Sequence, residues 1–334
     1  MNAGHNFHKI LVPIDFSEAS LAALSQAAVL GQAYDAPITV LHVVPPVESS
    51  VGFAPGPEAY LTGWRPPETA SELEQRLEAS AAEQLHDAVA HHQAEGVELD
   101  YRVLWGAAFR EVIHLVQEEG FDLVVVGTRG RSAIARALVG STSMKLVRKC
   151  PCPVWVVQPN VKASLDAILA PIDFSDVSHE SLRLAGALAA RFHCSLHVLH
   201  VCAAEYGYLL DLLADDELDL YPPWHRHEVI SQLHEFVKDS GVSIEPVLHV
   251  ERGDVAQHIL STADRIDAGL IVMGTLGRAG VAGLLIGNIA EKVLHHSHRP
   301  LLATKPVGYV SPVMPRFHRA IEQIVRDENL VAVR

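Results

Sequence analysis

The sequence has no uninterrupted apolar run of about 18 residues, the length a membrane helix needs, so nothing in it reads as a membrane span. Positive charge is in short supply. Lys and Arg total 26 against 40 Asp and Glu, a formal net charge of −14. A surface of that sign repels phosphate backbones, so nucleic acid is not an expected partner, and only a local basic site for a small anion remains open. Cysteine is scarce too. Cys150, Cys152, Cys194 and Cys202 cannot staple a chain of 334 residues, and in a reducing compartment they read as small buried hydrophobes. No signal-peptide pattern precedes the first strand-like run, so the expected compartment is the cytoplasm. No Ser-His-Asp order, paired-carboxylate motif or thiol nucleophile stands out, and no general base for hydrolysis is evident.

What is present is apolar material for large cores: 49% of residues are apolar and 20% charged, the balance of a globular chain. The length suggests two domains of about 150 residues each. Internal repeats agree. "LVPIDFS" at 11–17 returns as "LAPIDFS" at 169–175, and "VLHVV" at 40–44 as "VLHVC" at 198–202. "LVVVGTRGR" at 123–131 returns as "LIVMGTLGR" at 270–278. The first two pairs share one offset and the third is shorter, so the length difference falls in loops, where it costs little. One domain has been duplicated.

Within the first copy, strands and helices alternate. "KILVPI" reads as a strand, Ser17 caps the next helix, and Leu21, Leu24, Ala28 and Gly31 recur there at helical spacing. "ITVLHVV" is a second strand. A Pro-rich stretch follows, after which Thr69 and Glu72 form a capping box for a long polar helix to about residue 95. "VELDYRVLW" is a third strand, and "REVIHLVQEEG" a helix closed by Gly120. "DLVVVG", "STSMKLVRK" and "PVWVVQP" complete the copy as strand, short helix and strand. Continuous apolar strands alternating with helices imply an α/β fold, a parallel sheet covered on both faces.

In such sheets ligands sit outside the carboxyl ends of the strands, where strand order reverses. With order 3-2-1-4-5, that point lies between the first and fourth strands. Asp15 ends the first and Gly127 the fourth. The loop "GTRGRSAIARALVGST" then offers Gly127 and Gly130 for tight turning and close approach. Gly140 and Ser141 open a helix whose unpaired N–H groups suit an anion. Ser141, Thr142 and Ser143 supply hydroxyls, Arg129 and Arg131 charge, and Asp15 an acceptor for a ribose or base edge. The same glycines would equally serve turns and helix–sheet packing. The spacing is neither that of a P-loop nor the G-x-G-x-x-G fingerprint.

The stretches "KILVPIDFSEAS", "LHVV" and "VVVGTRGRSAIARALVGSTSMKLVRKCPCPVWVV" resemble the universal stress protein domain, and the second copy resembles it too. The signature G-x2-G-x9-G-[ST] is met in full by Gly127, Gly130, Gly140 and Ser141. The chain as a whole is similar to tandem members: domain 1 over 1–160, domain 2 over 161–306 and a C-terminal helical extension over 307–334. The resemblance implies two Rossmann-like domains, each a five-stranded parallel sheet of order 3-2-1-4-5, and ATP as ligand, with or without Mg²⁺. It implies that Pro13, Ile14 and Asp15 contact the adenosine, with Val43 beside the adenine and Val126 at the end of the fourth strand. Gly127, Arg129, Gly130, Gly140, Ser141, Thr142 and Ser143 would surround the ribose and phosphates. Family members often dimerise through their last strands. A tandem chain makes that contact internally, between 153–157 and 300–304, and a homodimer is a further expectation. The second copy keeps Asp173, Gly274, Gly277 and Gly287. Asn288 stands where a hydroxyl is expected, and Leu276 replaces the position of Arg129. It is carried as a second, weakened site.

Other features read more plainly. His42 and His200 repeat at the end of the second strand and read as hydrogen-bonded histidines. His295, His296 and His298 have no repeated ligand set, so zinc is not expected. The segments 45–68 and 203–225 carry aromatics suited to a lid or to covering a core edge. The tail after Pro306 has Phe317, Ile321, Ile324 and Val325 at helical spacing. Three functions stay open: a regulator that binds ATP, a slow ATPase, and a scaffold with vestigial sites.

Overall fold

The computed structural model describes residues 6–46, 70–128, 139–159, 165–203, 223–275 and 286–316. The segments 47–69, 204–222 and 317–334 lie outside it, and with them Thr69, most of both aromatic loops and the tail stripe. Arg129, Gly130, Leu276 and Gly277 also lie outside the described residues.

The first half runs β1 (Ile10–Pro13), α1 (Glu18–Tyr34), β2 (Ile38–Val44), α2 (Ala70–Ala94), β3 (Leu99–Trp105), α3 (Ala108–Glu119), β4 (Leu123–Gly127), α4 (Ser141–Lys149) and β5 (Val154–Val157). The second runs β6 (Ala167–Ile172), α5 (Asp176–Phe192), β7 (Ser195–Ala203), α6 (Pro223–Ser240), β8 (Val247–Gly253), α7 (Val255–Arg265), β9 (Leu270–Gly274), α8 (Asn288–His296) and β10 (Leu301–Thr304). Because α6 begins at Pro223, the end of the segment read as a loop from sequence is helical.

Local chemistry accounts for the boundaries. Ser17 caps α1 by accepting from the Ser20 N–H, and Ser175 caps α5 by accepting from the Ser178 N–H. Gly120 closes α3 with φ 70°, a conformation that costs glycine nothing. Leu21, expected on the inner face of α1, is 39% exposed. Leu24, Ala28 and Gly31 are buried as their spacing implies, together with Ala19, Ser20, Ala23, Ala27 and Leu30, and the many small residues of this face let the helix sit close to the sheet.

All ten strands form one sheet, ordered β3-β2-β1-β4-β5-β10-β9-β6-β7-β8. Each half is parallel and has order 3-2-1-4-5. The halves meet where β5 pairs antiparallel with β10, Trp155 opposite Leu302. β1, β4, β5, β6 and β10 are fully buried, which is why they read as unbroken apolar runs. Two apolar clusters, one on each face, both continue across the junction. Arg148 at the end of α4 also pairs with Glu291 of α8 at 2.7 Å.

At the far edge, β7 and β8 bring two histidines together. His197 Nδ1 lies 2.9 Å from His249 Nε2, with Ser195 Oγ 3.1 Å from His197 Nε2. Burial pushes both imidazoles below their ordinary pKa. His249 adds a repulsion on His197; Arg265 lowers His249 further, and Glu251 opposes that. The unfolded chain therefore binds these protons more readily than the folded one. Stability is full above the ordinary histidine pKa of about 6.5 and falls as pH drops through the lower folded values. Urea midpoints at pH 7.5 and 5.5 should fall more steeply for the wild type than for His249→Gln. Equal slopes would refute this.

Candidate functional site

The crevice at the first switch point opens between the ends of β1 and β4. After β1 the chain enters α1 on one face of the sheet; after β4 it reaches α4 on the other. The two connections therefore diverge to opposite faces of the sheet, the arrangement that places a ligand crevice at a switch point in such folds.

On the β1 side, Pro13 and Ile14 are buried and Asp15 is half-buried. The Ile14 N–H donates to Leu41 O at 2.8 Å, which holds the strand end in register with β2. His42 Nδ1 lies 2.8 Å from Ile14 O. A carbonyl can only accept, so the proton is on Nδ1. Asp15 Oδ1 accepts from the Ser17 N–H at 3.1 Å and from Ser17 Oγ at 2.6 Å. One carboxylate oxygen is thus committed to the turn into α1. That turn drives Phe16 to φ 62°, a left-handed conformation rare for an aromatic residue, and packs its ring 4.7 Å from the His42 ring. Val43 follows on β2, half-buried.

On the β4 side, Val126 and Gly127 are buried. A Cβ on Gly127 would lie 2.5–2.7 Å from the backbone of Ala19 and Ser20. Close packing of α1 on the strand therefore requires this glycine. The buried Thr128 N–H donates to Val157 O at 2.8 Å, and the Gly140 N–H donates to Thr128 O at 2.5 Å. Those bonds bring the start of α4 back to the end of β4 across the undescribed part of the loop. Gly140 is the N-cap of α4 and supplies no side-chain cap, and among the described residues the first N–H groups of the helix have no acceptor. Ser141 is exposed and Thr142 half-buried. Ser143 differs. Its hydroxyl is buried and donates to Gly127 O at 2.6 Å, tying α4 to β4, so only its backbone N–H remains at the helix start.

The second half repeats the frame. Asp173 Oδ1 accepts from the Ser175 N–H at 3.1 Å and from its hydroxyl at 2.5 Å; Phe174 has φ 61°; His200 Nδ1 donates to Ile172 O at 3.0 Å. Gly274 ends β9, and Gly287 caps α8 while its N–H donates to Thr275 O at 2.6 Å. Asn288 is exposed at the first helical position. One difference concerns polar satisfaction. Thr275 Oγ1 donates to Thr304 O at 3.0 Å, and Thr304 Oγ1 lies 2.6 Å from Ser181 Oγ. In the first half Val157 and Ala23 occupy the equivalent places. Thr128 Oγ1, in a residue 1% exposed, has no partner among the described residues.

A second feature was not legible in the sequence. Residues 307–316, expected to begin a helical extension, contain no helix and run as a strap across α3 and α4. Lys305 Nζ, pushed down to a pKa of about 8 by burial, donates to Val147 O and to Arg148 O. Tyr309 Oη donates to Arg148 O at 2.8 Å, and Gln117 Nε2 donates to Val313 O at 3.1 Å. Arg316 pairs with Glu111. The Lys305 and Tyr309 bonds cap the last carbonyls of α4, the helix whose start faces the crevice, while the Gln117 and Glu111 contacts hold the strap to α3. No periodicity announces such a strap.

Cys150 and Cys152 have sulfurs 3.5 Å apart, and His296 Nδ1 donates to Lys292 O. Among the described residues no group of three or more metal-ligating side chains converges, and no helix is long and apolar enough to cross a membrane.

Comparison with known proteins follows the same division. The model of the universal stress protein family matches residues 6–158 and again 165–305. The chain belongs to the universal stress protein family. It is 29% identical over 307 residues to a universal stress protein of Mycolicibacterium smegmatis, covering 89% of this chain and 97% of that one. It is 24% identical to universal stress protein E of Photorhabdus laumondii, covering 92% and 98%. A solved universal stress protein from Archaeoglobus fulgidus superposes with a TM-score of 0.60 at 24% identity, over 89% of this chain and 98% of that chain, a likeness of fold. Two universal stress protein units in one chain, each α/β with a parallel sheet, account for the matches.

Proposed function

We propose that this universal stress protein binds ATP at the β1/β4 crevice of its first half and uses nucleotide occupancy as a regulatory signal. The supporting observation is the convergence at one strand end of two unusual local structures: the Asp15–Ser17 turn with left-handed Phe16, and the uncapped start of α4 held against Thr128 O. The first presents a carboxylate and a strand end to an adenosine. The second presents helix N–H groups with the hydroxyls of Ser141 and Thr142 to phosphates. Pro13, Ile14, Val43 and Val126 line the apolar side, and Gly127 and Gly140 let backbone approach the ligand. Arg129 and Gly130 belong to the same site by sequence.

In this reading residues 1–160 form the nucleotide domain and 161–306 its weaker copy, in which Asp173, Gly274, Gly277, Gly287 and Asn288 keep the frame without the cation. The β5–β10 pairing takes the place of the contact between separate copies, and the chain works as a pseudo-dimer. Freshly purified protein, denatured and analysed for nucleotide, should release ATP or ADP, and added ATP should raise the melting temperature of stripped protein. Neither nucleotide released and no thermal shift would overturn the reading. Turnover measured with and without Mg²⁺ should be negligible on the timescale of binding; sustained hydrolysis would make the protein a slow ATPase instead.

A further inference from the structure

α3 and α4 both start near the carboxyl edge of the sheet, and neither start has a side-chain cap; the N-cap residues are Ala107 and Gly140. Between these helices three cations gather on one ring. Lys145 Nζ lies 4.7 Å, Lys149 Nζ 5.5 Å and the Arg110 guanidinium 5.8 Å from the Phe109 ring centre. None of the three forms an ion pair among the described residues, although the chain carries a net charge of −14. Contact with the ring face offsets part of their mutual repulsion, but like charges at i and i+4 still disfavour the helix.

The second half resolves the same place differently. Its helix α7 starts after Asp254, whose carboxylate accepts from the Gln257 N–H at 2.8 Å. Ala256 and Gln257 stand where the first half has Phe109 and Arg110. That half carries its own anion at the helix start and omits the ring and one cation. The first half has Ala107 at the cap; its nearest anion, Glu111 in the first turn of α3, is buried and paired with Arg316, so it is not spent on the three cations around Phe109. Thr128 Oγ1, buried beside the Gly140 cap, adds a polar group without a partner among the described residues.

The geometry points to a second anion subsite, present in the first half alone, that takes the outer end of a polyphosphate chain longer than that of ATP. Ser141, Lys145 and Lys149 follow at i, i+4 and i+8, so they lie along one face of α4 at about 6 Å per step. Phe109 and Arg110 flank that face from α3. A chain whose inner phosphates sit at Ser141 has these cations next along the helix. This rests on the nucleotide reading above and names its ligand class: nucleoside polyphosphates with four or more phosphates, or the same chain as free polyphosphate.

Calorimetric titration of the full chain with ATP, adenosine 5′-tetraphosphate and inorganic tetrapolyphosphate tests it. The tetraphosphate should bind about tenfold tighter than ATP, the effect of added charge-assisted contacts. Two variants should reduce that preference to about twofold or less: Lys145→Gln with Lys149→Gln, and Ala107→Asp. The second installs the other half's own anion at a residue with φ −90° and ψ 113°, extended geometry that suits an aspartate cap, so the fold is kept. Equal affinity for ATP and the tetraphosphate in the wild type, or a preference that survives both variants, overturns the subsite while leaving the ATP reading standing. Tetrapolyphosphate binding that is lost in Ala107→Asp, with no nucleotide binding at all, supports the subsite, names free polyphosphate as its source and overturns the ATP reading.

Discussion

Gly140→Glu should abolish ATP binding without unfolding the protein. Gly140 has φ −59° and ψ 150°, a conformation open to any L-residue, so the backbone does not demand glycine there. Its N–H bond to Thr128 O is a main-chain contact that the substitution keeps. A carboxylate at this position occupies the field of the α4 start, where the first N–H groups have no acceptor among the described residues, an arrangement that stabilises a helix by a few tenths of a kcal/mol to about 1 kcal/mol. The same charge repels a phosphate chain and takes its donors. Affinity should fall at least about 100-fold, equivalent to roughly 2.7 kcal/mol, while the melting temperature without nucleotide stays the same or rises. Thermal denaturation with and without ATP reads both quantities. A variant that melts like the wild type and keeps its ATP-induced shift would show that α4 does not hold the phosphates.

Trp155→Ala should cost about 3–5 kcal/mol of stability, the usual range for deleting a fully buried tryptophan. Trp155 is 0% exposed, sits opposite Leu302 where the halves join, and belongs to an apolar cluster with members from both halves. It lies in a close-packed core of apolar side chains, which collapses poorly around a cavity. Against a typical total of about 5–15 kcal/mol, that loss would lower the urea midpoint severely. A change below about 1 kcal/mol would mean that the junction contributes little and that the halves fold on their own.

The strands were legible because burial on both faces makes them continuous apolar runs. The duplication was legible because Asp15 and Asp173, with their Phe-Ser neighbours, serve the same turn twice. What sequence reasoning could not supply was the partner of each polar group. Asp15 read as an acceptor waiting for a ligand, yet its Oδ1 closes the turn onto Ser17. Ser143 read as a phosphate donor, yet its hydroxyl is buried against Gly127 O. Gly127 read equally well as ligand cradle or packing glycine, and the nearness of the α1 backbone shows that packing alone requires it. The strap over α4 and the His197–His249 pair depend on residues far apart in sequence, which no local period encodes. The contrast between Ala107 and Asp254 acquires meaning only once Arg110, Lys145 and Lys149 are seen to share the Phe109 ring.

The most direct measurement is an equilibrium titration of the nucleotide-stripped full chain with ATP, run in parallel on Gly140→Glu and on Gly287→Glu, the matched change in the second half. The wild type should show saturable binding dominated by one high-affinity site. Gly287→Glu should keep that site, and Gly140→Glu should lose it. Absence of saturable binding in the wild type, or loss of the high-affinity site in Gly287→Glu with retention in Gly140→Glu, would contradict assignment of the nucleotide to the first half.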